Sequence, residues 1–490
     1  MARSGIRILL ELMIFDALDY IDVVGDVTSF AGAMQLNIKR VRKAAEDEYD
    51  PADYLPVSEN STDDMYSQLR AFIDSVENTY LSALLKKLFV EDEAFVKAFE
   101  GHSAAKTVHH GFIGGLMEHT LGVTRLCDYM SKAYPVINSA AFYLDDFPSP
   151  VPSGDATYIK RDYGMSIADF YSKVWWPDLT KLAERYGIRF TGVMIENYGD
   201  DTKDAPVRQK DESHFSYFGG LLLKQNGEIG YHGYNHQPLV LPNTDYGDEY
   251  AYHQWPNRKA VVASLRELIA FQKSVLPAAT ASVYVPPSNI LSKEGRQTIG
   301  RDVPEIRTIA STYLPSDSKL PYVQEFGVAD DGIVEAPRIV SGGMVGDYMR
   351  LAAESELNMH FVSTHFMHPD DMLDPDRGAK EGWAVYRKGL ENYLDWLEAS
   401  APSIRMQTGT ECASAVQRFS GLTVKMRESA NEWEFDLGNF KDQAWLLLRA
   451  NHGTPGRIQG GSMIRMTGNL YLIKATDSTV HVERKAGGAA

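Results

Sequence analysis

The feature that most limits the fold is an alternation that runs from residue 139 to about residue 420. Short apolar runs, "AAFYLDD", "RFTGVMI", "EIGYHG", "ASVYVPP", "RTIASTYL", "GIVEAPRIV" and "MHFVSTHF", with a brief "SIRMQ" last, read as strands. Between several of them lie segments of helical period, such as "SIADFYSKVWWPDLTKLAERYG", "NRKAVVASLRELIAFQKSVL" and "EGWAVYRKGLENYLDWLEAS". Strands that are apolar on both faces and separated by helices must lie parallel, because each helix carries the chain back over the sheet. Seven or eight such units over about 280 residues predict an α/β fold closed into a parallel barrel rather than an open sheet.

The flanks read differently. Residues 1–50 contain "YIDVVGDVTSFAG" and "AMQLNIKRVRKA", two strand-like runs punctuated by Gly25 and Gly32. Residues 51–138 open with a polar, proline-bearing connector and continue with helical periodicity from about 63 to 134. After the barrel, 139–419, the helices stop. "LTVKMRES", "EWEFDLG", "AWLLLRAN", "SMIRMTGNLYLIKA" and "TVHVERK" predict a small antiparallel β-sandwich over 420–484, followed by a disordered tail at 485–490.

A net charge of −17 argues against a partner bound through phosphate neutralisation, so nucleic acid is not the expected ligand. Cys127 and Cys412 lie too far apart for a metal-ligand spacing and are expected to be small buried hydrophobes. The apolar patch at the start is interrupted by Glu11, Asp16 and Asp19. It reads neither as a signal peptide nor as a membrane span, which places the chain as written in the cytoplasm.

In a parallel barrel, chemistry sits where strands end at their C-terminal edge. The first strand ends in Asp145-Asp146, and the third in "YHGYNHQP", which carries His232 and His236. Four-residue spacing sets two imidazoles on one side of a helical turn. Two neutral nitrogens and one carboxylate make a three-ligand site with positions left open, the catalytic pattern for a metal. One aspartate of the pair binds the ion and its neighbour takes a proton from water, which a bound ion acidifies to a pKa of about 7. "MHFVSTHFMHPDD" offers two candidates for the acid, His365 and His368. Aromatic residues crowd the same loops. Trp175 and Trp176 are expected in the core. Tyr234, between the two histidines, is the better candidate for substrate, with Tyr284 and Trp255 beside it.

These motifs carry a resemblance. Residues 139 to about 420 resemble the NodB-like polysaccharide deacetylases, metal-dependent carbohydrate esterases, and more closely a divergent bacterial branch of that superfamily, through "YLDDFPSP", "GEIGYHGYNHQPL", "YVPPSNILS" and "HFMHPDD". The resemblance implies a distorted (β/α) barrel and assigns Asp145 as base, Asp146, His232 and His236 as metal ligands, and His368 ahead of His365 as acid. It implies a divalent ion, zinc first, with nickel, cobalt or manganese open, and an acetylated polysaccharide as substrate. The family's third motif offers an arginine near a proline; "VYVPPSN" has Tyr284 and Pro286 but no arginine. Relatives of this part act outside the cytoplasm.

Residues 19–138 resemble a truncated HD-domain 3′–5′ exoribonuclease of the YhaM type, through "GAMQLNIKRVRKA", "YDPADYLPVS" and "HSAAKTVHHGFIGGLMEHTLGV". That implies part of an OB-fold followed by part of a helical HD domain. His119 matches the first metal histidine, but none of the 13 histidines is followed by aspartate, so the required dyad is missing. The run Lys39, Arg40, Arg42, Lys43 is expected to be a solvated face. The expected function is therefore removal of acetyl groups from a polysaccharide. An RNA-processing hydrolase and a glycan-binding relic without catalysis are the alternatives.

Overall fold

The computed structural model describes residues 19–30, 33–45, 47–49, 53, 56–105, 109–148, 156–242, 246, 250–315 and 319–486. The chain divides into two compact units, Met1–Tyr129 and Met130–Ala490. The apolar start through residue 18, residues 31–32 at the end of the first strand-like run and the last four residues of the tail lie outside the described residues.

In the first unit, β1 (Ile21–Phe30) and β2 (Ala33–Lys43) form an antiparallel hairpin whose register shifts between Val24 and Gly25. A Cβ at Gly25 would meet the Asn37 carbonyl oxygen at 2.5 Å, so this bulge requires glycine. The basic run is paired with acids: Lys39 with Asp26 and Lys43 with Asp19, each at 2.6 Å, and Arg42 with both Asp22 and Glu48. That agrees with a solvated face. Helices follow at Thr62–Asp74, Thr79–Lys86, Glu93–Gly101 and Gly115–Met130. Met65, Leu69 and Ile73 repeat every four residues and bury one stripe against Phe99, Met117 and Leu121. Cys127 is exposed, contrary to expectation, because it falls off the face that carries Met117 and Leu121. Cys412 is buried as expected.

The helical reading through residue 134 runs too far. The helix stops at Met130, and Ala133–Val136 is a strand, β3, with alternating burial. Pro135 disfavours helical backbone at Tyr134, so the chain leaves the helix before it. The central sheet is built from β4 (Ser139–Phe147), β5 (Thr191–Met194), β6 (Glu228–Tyr231), β7 (Val283–Tyr284), β8 (Thr308–Ile309), β9 (Gly327–Val328), β10 (Val334–Glu335), β11 (Val340–Ser341), β12 (Val362–Met367) and β13 (Met406–Gln407). Its order is β11-β12-β4-β5-β6-β7-β8-β10-β9, with β13 added on β4. The described ladders are parallel except that between β10 and β9. The mixed α/β class is as expected.

The sheet is curled. On one continuous stretch, the amides of Val334, Ala336 and Arg338 donate to Arg307, Ile309 and Ser311, while those of Ile339 and Gly342 donate to Thr364 and Phe366. One segment thus bonds the β8 side with its first half and β12 with its second. The two faces of the sheet have separate apolar clusters. Ala141, Tyr143, Val193, Val283, Val285, Ala310 and Cys412, with Phe366 against them, fill the concave side. Phe142, Leu144, Tyr284 and the helices pack on the other.

The remaining strands are β14 (Thr423–Glu428), β15 (Glu432–Gly438), β16 (Ala444–Arg449), β17 (Thr454–Gln459), β18 (Gly461–Thr467), β19 (Leu470–Ala475) and β20 (Thr479–Lys485). Together with β3 they form two antiparallel four-stranded sheets, β14-β15-β20-β17 and β18-β19-β16-β3. Trp433, Phe435, Leu446, Leu448, Ile473 and Val480 share one core between them. The strand just before β4 is therefore an edge strand of the C-terminal layer, tied to it from some 300 residues away in sequence. No helix among the described residues is long and apolar enough to cross a membrane.

Candidate active site

The aspartate pair ends β4, whose side chains alternate between faces. Tyr143 belongs to the concave cluster, so Asp145 points the same way and Asp146 should point outward. It does not. The β4–β5 register shifts between Leu144 and Phe147, and Asp146 takes a left-handed backbone, φ 51°. This irregularity turns both carboxylates toward one place, a strained arrangement of the sort that persists where surrounding structure holds it.

His232 and His236 follow β6. Their segment is an irregular bend rather than the helical turn expected from the spacing, with positive φ at Gly233 (83°) and His236 (57°). The two imidazoles still converge. Nε2 of His232 lies 3.3 Å and Nε2 of His236 3.4 Å from Oδ1 of Asp146. Nδ1–H of His232 donates to the Val285 carbonyl at 2.8 Å, which leaves its Nε2 as a lone-pair donor. Burial pushes His236 down to about 4, so that ring is neutral at pH 7. Oδ1 of Asp146 is buried and has no hydrogen-bond partner. Two imidazole nitrogens and a carboxylate oxygen thus lie within 4.8 Å of one another, an arrangement that an ion would satisfy.

Asp145 is bound by an arginine that the sequence reading did not find. Arg338, 1% exposed, follows Pro337 in the stretch between β10 and β11. Its Nη1 donates to both oxygens of Asp145, at 2.7 and 2.5 Å, its Nη2 to Oδ1 of Asn289 and its Nε to the Ser311 carbonyl. Its guanidinium stacks 4.0 Å above the Phe366 ring. The string "VYVPPSN" therefore supplies not the arginine but Asn289, which orients it.

The two candidate acids separate by the alternation of β12. Phe366 packs on the concave cluster, and His368, two residues on, brings Nε2 to 3.7 Å from Asp145. His365 faces the helices. Its Nε2–H donates to the Gly342 carbonyl, its ring stacks on Tyr393, and burial pushes it down to about 4. Nδ1 of His368 sits 3.4 Å from Asp371, whose other oxygen takes the His368 amide and the Tyr386 hydroxyl. Burial opposes charge on His368, but Asp371, with Asp145 and Asp146, outweighs it and raises the imidazole to about 9.

The three aromatic residues expected at the substrate are held within the fold. The Tyr234 hydroxyl is bonded to both the amide and the carbonyl of Val207, Trp255 donates to the Pro238 carbonyl from within the core, and Tyr284 is fully buried among the helices. Trp175 and Trp176 are core, as read. Other tyrosines stand at the site instead. The Tyr198 hydroxyl donates to the Asp146 carbonyl, and the Tyr252 ring meets that of His236 edge-on at 6.0 Å. Elsewhere, Glu432, Glu434 and His481 also come together on the sandwich, but Glu432 is bonded to His481 and Glu434 to Arg427.

A family model described as uncharacterised protein conserved in bacteria (DUF2194) matches residues 115–472. The chain belongs to this family. The match begins in the helix Gly115–Met130 and takes in the curled sheet, Asp145 to His368, and most of the sandwich. Among curated proteins, the 3′-5′ exoribonuclease YhaM of Geobacillus sp. (strain WCH70) is 28% identical over 124 residues, 25% of this chain and 37% of that protein. The chain spans between 37% and 39% of the length of such relatives. Among solved structures, a "putative polysaccharide deacetylase" from Mycobacterium smegmatis aligns with 57% of this chain and 89% of its own, at TM-score 0.35 and 17% identity. A GH30 endoxylanase from Clostridium papyrosolvens C71 aligns with 73% of this chain and 98% of its own, at TM-score 0.27 and 10% identity.

Proposed function

We propose that this DUF2194 member is a metal-dependent hydrolase that removes acetyl groups from an acetylated polysaccharide, with its site at the rim of a distorted barrel. One observation carries the reading: Asp146, His232 and His236 aim three acceptor atoms at one point, the carboxylate oxygen having no other partner. Two ligands held about 2.0–2.2 Å from one ion at tetrahedral angles lie about 3.4 Å apart. The two histidine–carboxylate spacings are 3.3 and 3.4 Å. The donor set, two imidazoles and a carboxylate, suits zinc first.

Asp146, His232 and His236 would hold a divalent cation, which would supply Lewis acidity to the acetyl carbonyl and to the attacking water. Asp145 accepts the proton of that water, its direction fixed by Arg338. His368 holds a proton on Nε2 and gives it to the leaving nitrogen or oxygen as the C–N or C–O bond breaks and the carbonyl of acetate re-forms. Asp371 keeps the imidazole oriented through Nδ1.

Zinc-loaded protein is expected to release acetate from acetylated hexosamine polymers, to stop on chelation and to recover with added zinc. His232→Ala and His236→Ala should each fall well below one zinc per chain by elemental analysis. Acetate release that survives both substitutions would remove the reading, and glycan binding by protein that holds no metal would favour the non-catalytic one. The proton on His368 also sets a pH dependence. An acid must be protonated to act, so kcat/KM should fall as pH rises through about 9. In Asp371→Asn the fall should move toward the ordinary histidine value of about 6.5. An unmoved alkaline limb would show that Asp371 does not support the acid.

A further inference from the structure

A small cavity of about 100 Å³ lies between the bend that carries His232 and His236 and the loop that follows β5. Tyr234 and Asn235 line it from the bend, Asn197, Asp201 and Asp204 from the loop, and Trp255 closes it. A water molecule's share of liquid volume is about 30 Å³, so a cation fits there with part of its hydration shell. The buried side of the cavity holds an acceptor without a partner. Asn235 is 3% exposed, and its Nδ2 donates to the Asp201 carbonyl at 2.8 Å, but its Oδ1 is buried and accepts no hydrogen bond. Native folds leave few such atoms dry, so this oxygen calls for an occupant.

The outer side of the cavity supplies charge. Asp201 and Asp204 are both exposed, and neither forms a salt bridge with a described residue. Oδ1 of Asp201 accepts the amides of Lys203 and Asp204, at 2.8 and 3.3 Å, which fixes that carboxylate in place. The acids beside His368 differ, since Arg377 already neutralises Asp370, Asp371 and Asp374. Two carboxylates and an amide oxygen, with neither nitrogen nor sulfur among them, suit a hard cation, and calcium tolerates an irregular set completed by water better than magnesium does. We infer that this cavity binds a calcium ion through Asn235 Oδ1 and the Asp201 and Asp204 carboxylates, separately from the zinc set. The ion ties the loop, whose Tyr198 hydroxyl donates to the Asp146 carbonyl, to the bend that presents both histidines. It touches no reacting group, and the inference stands whether or not the deacetylase reading does.

Terbium is the probe, because it takes calcium's oxygen ligands and emits when a tryptophan beside it is excited, and Trp255 lines the cavity. The full chain is titrated in two forms, zinc-loaded and His232→Ala, so that terbium in the zinc set is told apart. Both should show emission that saturates at one terbium per chain and that calcium displaces at concentrations where magnesium does not. The double variant Asp201→Asn/Asp204→Asn changes two exposed side chains, so its fold should be kept, and it should bind terbium about tenfold or more weakly. Calcium at about 100 times its Kd should raise the unfolding midpoint of the zinc-loaded chain by about 2–4 °C and leave that of the double variant where it is. Emission that is missing from the zinc-loaded chain, or that persists undiminished in the double variant, overturns the inference and leaves water as the occupant of the cavity.

Discussion

Asp145→Asn is expected to keep its zinc and lose about 10²–10⁴-fold in turnover, the usual contribution of a positioned general base. The amide has the size of the carboxylate but cannot take a proton from water. The proposed ligands are untouched, because Asp146, His232 and His236 meet one another without help from Asp145. Zinc content separates the possible roles. A protein that retains one zinc and has lost turnover places Asp145 in proton transfer. Loss of zinc along with turnover would make it a support for the ligand set, and an unchanged rate would remove it from the mechanism. Asp146→Asn is the counterpart and should lose the metal itself, since an amide oxygen is a poorer ligand than a carboxylate. The pair tests the division of labour that the bulge in β4 creates between adjacent side chains.

What the sequence disclosed about this site follows from distance along the chain. Asp145-Asp146 and His232/His236 are local motifs, so their residue types and strand-end positions could be read directly. Arg338 could not be, because its relation to Asp145 spans 193 residues and depends on β12 lying between β11 and β4. The available signal was Pro337-Arg338 inside a strand-like run, but "VYVPPSN" drew attention to the wrong strand. His365 and His368 were separable in principle: with period-two alternation, Phe366 and His368 share a face and His365 takes the other. That test needed to know which face was concave. The surroundings of the aromatic candidates were hidden for a similar reason, since residue type tells nothing of whether a hydroxyl is already bonded, as that of Tyr234 is to Val207. The α/β pattern was legible because strands buried on both faces repeat it many times. Strand β3 was not, because four residues carry little periodicity and their partner, β16, comes some 300 residues later.

Arg338→Met should cost about 3–5 kcal/mol of stability, the penalty for stranding one member of a buried ion pair. Asp145 is as buried as Arg338, and among the described residues its next cationic neighbour is His368, at 3.7 Å. Methionine fills the space of the arginine stem against Phe366 but leaves the carboxylate facing an apolar neighbour. The double variant Arg338→Met/Asp145→Leu removes both charges and should regain most of the loss, since a buried pair and its apolar replacement are often equal in stability. A remainder of about 1–3 kcal/mol is expected, because Asn289 and the Ser311 carbonyl lose their donor. All seven tryptophans lie beyond residue 174, so urea unfolding followed by their fluorescence reports on the second unit alone. If the losses of the two single variants simply add in the double, the two side chains are not coupled. The orientation of the base by Arg338 would then fall with them. Strong coupling, together with zinc retained in Arg338→Met and turnover lost, would place the arginine where the geometry does, as the group that aims Asp145 at the attacking water.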